Sequence, residues 1–196
     1  MYRSMWAAAG VVGLVAAAMA GIHAKADAWN QETIFTFSEP VAIPGQALPA
    51  GTYTFKLLNS QSDRDIVEIR GPKDEHFYGI FLTIPDYRLR PTGKTVIKFD
   101  EAPAGSPEAV KAWFYPGDSY GHEFVYPKKD ARELAKANHE PVPSMPDELA
   151  ADTRRPAKTM NDPSASALRS AKISAEKPNG DEVTVTAVFQ RPGSSR

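Results

Sequence analysis

The sequence contains no cysteine, only four histidines in 196 residues, and almost no excess of charge of either sign. The absence of cysteine excludes disulfides, thiolate zinc sites and a cysteine nucleophile. With 23 basic and 24 acidic side chains the net charge is −1. This balance argues against nucleic acid as a partner, because phosphate binding needs a basic surplus or stripe. The length predicts one domain, or two at most.

Long apolar runs are also missing, except at the start of the chain. Arg3 is the only charged residue before Lys25, and the stretch between them is rich in Ala, Val and Gly. Small residues flank Lys25, so the first 26 residues are predicted to be a secretory signal peptide cut after Ala26. A cut after Ala28 and a retained membrane anchor are the alternatives. Cleavage would leave no transmembrane segment and would place the protein in the periplasm or outside the cell.

The aromatic residues concentrate in one part of the chain. Of the 19 aromatic side chains, 16 lie between Trp29 and Tyr126. Aromatic side chains bury large areas, so this part is expected to hold the core. We assign residues 27–128 to a folded domain on this basis.

Within that domain, short stretches alternate between apolar and polar residues and are separated by turn-forming residues. The alternation, together with β-branched and aromatic enrichment, predicts strands. The stretch 78–84 is nearly all apolar and predicts a central strand, which Pro85 should close. The sequence therefore predicts an all-β fold, an antiparallel β-sandwich of about seven or eight strands. The other predicted strand stretches are 33–38, 52–57, 67–69, 95–99, 110–115 and 123–126.

The remainder of the chain has a different composition. A short helix is expected over 129–140, with Asp130 as its cap. Residues 141–180 are rich in proline and small polar residues and are predicted to form a flexible linker. The last segment, 181–196, contains a strand signal from Glu182 to Phe189. That strand could pair with an open sheet edge of the same chain or with another molecule, giving self-association.

Three motifs in the chain are familiar as a set. They are Leu48-Pro49-Ala50-Gly51-Thr52-Tyr53, Ala112-Trp113-Phe114-Tyr115-Pro116-Gly117 and Glu123-Phe124-Val125-Tyr126-Pro127-Lys128. In this order they resemble a group of small exported bacterial proteins of unknown function. The resemblance covers about residues 30–146 and implies export and a β-rich domain. It implies no activity.

Catalytic signals are weak. His76, His122 and His139 have no metal-binding spacing, and no phosphate-binding glycine loop is present, so no metal or cofactor is predicted. Gly117-Asp118-Ser119 resembles part of an esterase motif, but it lies in a predicted turn between strands. We expect Ser119 to be a turn residue.

Two groups of exposed residues are candidates for binding. The first is the loop around Tyr87, where an aromatic ring lies among charges. The second is a possible outward-facing aromatic row that could stack on sugars or on a peptide. The opposite strand phase would place Trp113 and Tyr115 in the core, as large aromatic residues usually are. The candidate binding residues are Tyr87, Arg88, Arg90, Trp113, Tyr115 and Tyr120.

These observations leave three hypotheses for function. The first is an exported, non-catalytic β-sandwich module that binds a protein or glycan of the cell envelope or has a structural role there. The second is a small secreted hydrolase that uses His76, His122, Asp118 or Ser119. The third is a module that self-associates through its C-terminal strand.

Overall fold

The computed structural model describes residues 31–58, 65–159 and 161–185. The predicted signal peptide, its cleavage site at Ala26 and the chain beyond residue 185 lie outside these ranges. Within them the protein is mostly β, and the predicted all-β, sandwich-like fold is confirmed. The helices of these ranges are too short or too polar to span a bilayer.

The described residues form thirteen strands and two α-helices, with 3₁₀ turns at Pro72–Asp74 and Asp147–Arg154. The helices are α1 (Lys128–Asn138) and α2 (Pro163–Arg169). The strands are β1 (Glu32–Phe37), β2 (Val41–Ile43), β3 (Gln46–Leu48), β4 (Gly51–Leu58), β5 (Asp65–Arg70), β6 (Phe77–Tyr87), β7 (Val96–Asp100), β8 (Ala109–Phe114), β9 (Tyr120–Phe124), β10 (Tyr126–Pro127), β11 (Val142–Met145), β12 (Ser174–Glu176) and β13 (Glu182–Thr184).

Nine strands form one sheet in the order β1-β4-β5-β6-β9-β8-β2-β3, with β7 paired to β8. All pairs in this sheet are antiparallel except the single bridge between β2 and β8. The remaining strands form a smaller sheet in the order β10-β11-β12-β13. The described part of the C-terminal strand, β13, therefore pairs with β12 of its own chain.

The long strand β6 makes the large sheet fold over on itself. Its residues 77–83 pair with β5, and its residues 83–87 pair with β9, so Thr83 is shared by both ladders. Strands from distant parts of the sheet consequently face each other. The rings of Phe37 and Phe99 lie 6.3 Å apart, and those of Phe55 and Trp113 lie 6.1 Å apart. This aromatic layer between the two halves of the sheet is the main core.

Pro85 does not end β6, in contrast to the sequence-based prediction. The strand continues through Pro85 to Tyr87 and pairs with β9 there. Among the described residues β5 begins at Asp65, opposite Thr83, and the ladder partner of Pro85 is His122 on the β9 side. A missing N–H is tolerated where one side of the strand needs no ladder bond.

The C-terminal segment also corrects the sequence analysis. The stretch 141–180, predicted to be a flexible linker, contains β11, β12, α2 and a 3₁₀ turn. It covers the outer face of β5 and β6, which is as apolar as their inner face. A second core lies between the two layers and includes Ile66, Ile80, Leu82, Met145 and Leu168. Strands with two apolar faces need a second covering layer, and the proline-rich segment supplies it.

Helix α1 lies where a helix was expected, but Asp130 is not its cap. The N-cap position is Pro127, which gives the helix no side-chain cap bond. Asp130 instead accepts a hydrogen bond from the backbone of Gly45. Arg132 pairs with Glu176 of β12 at 2.8 Å, so α1 is tied to both sheets.

We predict that the C-terminal layer contributes directly to stability. Leu168→Ala removes a fully buried side chain of the second core and should lower the free energy of unfolding by about 2–5 kcal/mol. Leu89→Ala is the matched control, since Leu89 is 98% exposed and should change it by less than about 0.5 kcal/mol. Urea denaturation measures both. Equal effects of the two variants would show that the layer does not pack on the sheet.

Candidate functional site

One end of the main core is polar. Four polar side chains point here into the space between the two halves of the sheet, namely Gln31 before β1, Asp65 of β5, and Tyr120 and His122 of β9. Asp118, in the turn that precedes β9, lies next to them. We call these five residues the polar end. Because side chains alternate along a strand, Asp65 points to the same side as Val67, and Tyr120 and His122 point to the same side as Phe124.

The polar end is connected by a chain of short contacts. Nδ1 of His122 lies 3.2 Å from Oδ2 of Asp65, and its Nε2 lies 3.1 Å from Oε1 of Gln31. Nε2 of Gln31 donates to Oδ2 of Asp118 at 2.9 Å. The Tyr120 hydroxyl donates to Oδ2 of Asp65 at 3.1 Å. Three separate segments of the chain, around residues 31, 65 and 118–122, are thereby joined at one buried imidazole.

The chain of contacts determines where the His122 proton lies. The Asp118 carboxylate can only accept, so the amide nitrogen of Gln31 must face it. The amide oxygen of Gln31 therefore faces His122 Nε2 and requires that nitrogen to donate. Nε2 of His122 therefore carries a proton, and the amide oxygen of Gln31 accepts its hydrogen bond.

A pair of tyrosines forms the rim of the polar end. The rings of Tyr87 and Tyr120 lie 5.7 Å apart in an edge-to-face arrangement, and Tyr87 is 66% exposed. Tyr120 is half-buried and reaches Asp65, whereas Tyr87 lies at the start of an exposed loop. Leu89, two residues further along this loop, is 98% exposed.

Arg88 holds this loop in place. Its guanidinium donates to the backbone oxygens of Asp118 (2.8 Å) and Tyr115 (3.2 Å) and to the Thr92 hydroxyl (3.2 Å). Its backbone N–H donates to the carbonyl of Ser119 at 2.9 Å. These bonds join the Tyr87 loop to the turn that carries Asp118, so the rim is a pre-formed surface.

The other face of the same strands carries a stacked arrangement. Arg88 and Lys98 both lie over the Phe114 ring, at 4.9 and 4.7 Å from its centroid. The ring packs directly on Gly121 of β9, where a Cβ atom would lie 2.5 Å from it. Gly121 is required here by this close approach.

Glu123 lies on the same outer face and is buried, with 5% of its surface exposed. Burial and the nearby Asp86 carboxylate raise the pKa of Glu123 to about 8. Lys111 and Lys98 oppose this rise, while Asp100 adds to it. Lys98 itself pairs with Asp86 at 2.9 Å.

The structure brings some of the predicted binding residues together and separates others. Tyr87 and Tyr120 are adjacent at the rim, and Arg88 supports the loop rather than facing solvent. The predicted exposed row of Trp113 and Tyr115 is wrong, because both are buried in the core. The alternative phase of strand β8 is the correct one, since Trp113 lies opposite Ile97 and His122 on the inner face of the sheet. Arg90 is exposed on the loop.

The hydrolase candidates divide in the same way. His76 is exposed next to Tyr78 at the start of β6, roughly 30 Å along the strand from the ladder position opposite His122. His122 and Asp118 lie together but communicate through Gln31. Ser119 is an exposed turn residue beside them. His139 ends α1 in a left-handed conformation.

Three inward-facing polar residues escaped the sequence analysis, namely Gln31, Thr33 and Asp65. A signal for two of them existed. Thr33 lies in phase with Phe35, and Asp65 in phase with Val67 and Ile69, so each is the polar first member of an apolar face. A polar residue in such a position marks the point where a core becomes polar.

The described ranges contain no cluster of three side chains suited to a metal ion. A separate cavity of about 290 Å³ lies between the β2–β3 hairpin, the loop before β8 and α1, with Asp130 and Glu133 on one wall. Comparison with known proteins gave no match to a family, to a curated protein or to a solved structure.

We predict that Gly121→Ala destabilises the fold by about 1–3 kcal/mol, because the new methyl group must displace the Phe114 ring. Gly93→Ala is the matched control, since its Cβ would meet nothing within 4 Å. Chemical denaturation compares the two variants. Equal stability would show that Phe114 does not pack on β9 as described.

Glu123 should make stability depend on pH. Its folded pKa of about 8 lies above the ordinary value of 4.5, so the folded state holds more protons than the unfolded state between these values. Stability should therefore fall as pH rises from about 5 to about 8, by on the order of a few kcal/mol. Glu123→Gln should remove this part of the slope in denaturation curves recorded across that range. Parallel slopes for the two proteins would contradict the assignment.

Proposed function

We propose that the protein is an exported, non-catalytic β-sandwich module that binds a glycan of the cell envelope at the rim of the polar end. The observation that carries the proposal is the Tyr87–Tyr120 pair, which lies directly beside partly exposed Asp118 and Gln31. An aromatic pair next to planar polar side chains is the combination that a carbohydrate requires.

The chemistry of a sugar ring explains this choice. One face of the ring presents C–H groups, which pack on an aromatic ring with an apolar body and a polar tip. Its edge presents hydroxyls that both donate and accept hydrogen bonds. Asp118 supplies acceptors and Gln31 supplies a donor and an acceptor. The Tyr87 hydroxyl supplies both, and the Tyr120 hydroxyl, which donates to Asp65, supplies an acceptor.

Pre-organisation supports the same proposal. Binding costs less when the contacting side chains are already ordered. Arg88 makes three side-chain hydrogen bonds that hold the Tyr87 loop against the Asp118 turn. A loop with this much internal support, carrying an exposed tyrosine at its base, is suited to contact a partner without rearrangement.

Export rests on the sequence. The basic start, the apolar stretch and the small residues around Ala26 predict a cleaved signal peptide, and the resemblance to exported bacterial proteins points to the same destination. A secreted or periplasmic location gives the module access to envelope glycans.

A small hydrolase is the second candidate, because His122 lies 3.2 Å from Asp65 in a buried position. A general base of this kind would need a free Nε2 facing substrate, but Gln31 occupies that nitrogen. The third hypothesis, self-association, keeps β13 as its element. In the described chain β13 is the outer strand of the small sheet, with Lys128 bonded to its Glu182.

The rim predicts which substitutions weaken binding. Tyr87→Ala should reduce affinity for soluble cell-wall glycan strands or N-acetylglucosamine oligomers by at least about tenfold, since it removes the exposed stacking surface. Isothermal titration calorimetry with the processed chain measures the effect. Ile34→Ala is the control, because Ile34 is a large exposed apolar residue on the outer face of β1, away from the rim.

Leu89→Ala separates a glycan from a protein partner. A sugar stacked on Tyr87 leaves Leu89 without a role, so glycan affinity should be unchanged in this variant. No binding of either glycan probe by the wild type, or full binding by Tyr87→Ala, would contradict the proposal.

A further inference from the structure

Three buried polar atoms at the polar end have no hydrogen-bond partner among the described residues. They are Oγ1 of Thr33, Nε1 of Trp113 and Nδ1 of His122. The three residues are no more than 1% exposed. Buried polar atoms are nearly always paired with protein or with ordered water, so a group of three requires an explanation.

The three residues lie close together. Trp113 and His122 are directly opposite each other on the β8–β9 ladder, and their rings are 5.5 Å apart. Thr33 pairs across β1 and β4 with Phe55, whose ring contacts Trp113. Gln31, two residues before Thr33, already reaches His122. The three unpaired atoms therefore belong to one region of the interior.

Their chemistry specifies what fits between them. The indole N–H of Trp113 can only donate. Nδ1 of His122 can only accept when the neutral ring carries its proton on Nε2, as the Gln31 contact requires. The Thr33 hydroxyl can do either. A group that satisfies Trp113 must accept, and one that satisfies His122 must donate to the neutral ring or accept from the imidazolium. A hydroxyl oxygen does all of this.

We propose that one hydroxyl oxygen is bound at the inner side of the polar end, where it accepts from Trp113 and is bonded to Nδ1 of His122 and to Thr33. Water and the hydroxyl of a bound sugar have this chemistry in common, and the second source rests on the proposed glycan function. Asp65 lies 3.2 Å from the same His122 nitrogen, so the bound oxygen lies at the inner end of the chain that leads to Asp118 at the rim.

Thr33→Val tests the site without changing side-chain shape. If the Thr33 hydroxyl is bonded to a bound oxygen, its removal should lower Tm by roughly 2–4 °C relative to the control. If the hydroxyl were unpaired, replacing it with a methyl group would raise Tm, because an unsatisfied buried group would be lost. Thr36→Val is the control. Thr36 lies on the exposed face of the same strand, where water can replace the bond between its hydroxyl and that of Thr52 (3.0 Å).

Solution NMR distinguishes the two sources of the oxygen. Protein refolded from denaturant without sugar should show a cross-peak between the Trp113 indole proton and long-lived water. If the sugar reaches the site, addition of N-acetylglucosamine oligomers should replace this cross-peak with one to sugar protons, and if water alone fills it the water peak should persist. Either pattern supports the site, and the second does so even if the glycan proposal fails. A higher Tm for Thr33→Val, or an indole proton without a cross-peak in both samples, would overturn it.

Discussion

The buried imidazole of His122 connects parts of the chain that are far apart in sequence. It contacts Asp65 of β5 and Gln31 before β1, and through Gln31 it reaches Asp118 in the turn before β9. A buried polar network of this kind is costly unless its members are satisfied, and when satisfied it specifies one arrangement of the strands. The position of the rim tyrosines depends on this arrangement, because Tyr120 donates a hydrogen bond to Asp65 and Tyr87 packs edge-to-face against Tyr120.

The rest of the fold supports that end of the sandwich from two sides. Inside, the aromatic layer around Phe55 and Trp113 joins the two halves of the folded sheet. Outside, the C-terminal layer covers the second apolar face of β5 and β6. Between these two cores and the solvent, the polar end is the place where the interior meets the surface through polar side chains.

The alternation of residues was sufficient to predict the strands and the all-β class, because burial of one face of a strand imposes a period of two. The alternation was insufficient to predict which face of β8 points into the core. Ala112 and Phe114 on one face and Trp113 and Tyr115 on the other are both apolar, so the pattern alone could not say which face is inside. The strand partners decide this, and they come from residues distant in sequence.

Two further features could not be predicted for the same reason. The segment 141–180 has a composition typical of a linker, but its few apolar residues are placed to cover an apolar sheet face that already exists. Pro85 is a strand breaker by its chemistry, but β6 continues through it, because in the part of the chain that the structure describes its ladder partner lies in β9 and none lies in β5. The polar end itself depends on the folding of the sheet, which brings β1, β5 and β9 together although they do not pair, since no local motif joins Gln31, Asp65 and His122.

The central claim is that His122 organises a binding surface rather than acting as a catalytic base. The two roles require different protonation of the same ring. Nitrogen-15 NMR of the imidazole reads this directly. The account predicts a proton on Nε2 that exchanges slowly with solvent, because Gln31 accepts its hydrogen bond in the buried interior. An unprotonated Nε2 with the proton on Nδ1 would contradict it, since that is the form in which Asp65 would prepare the ring to take a proton from a substrate.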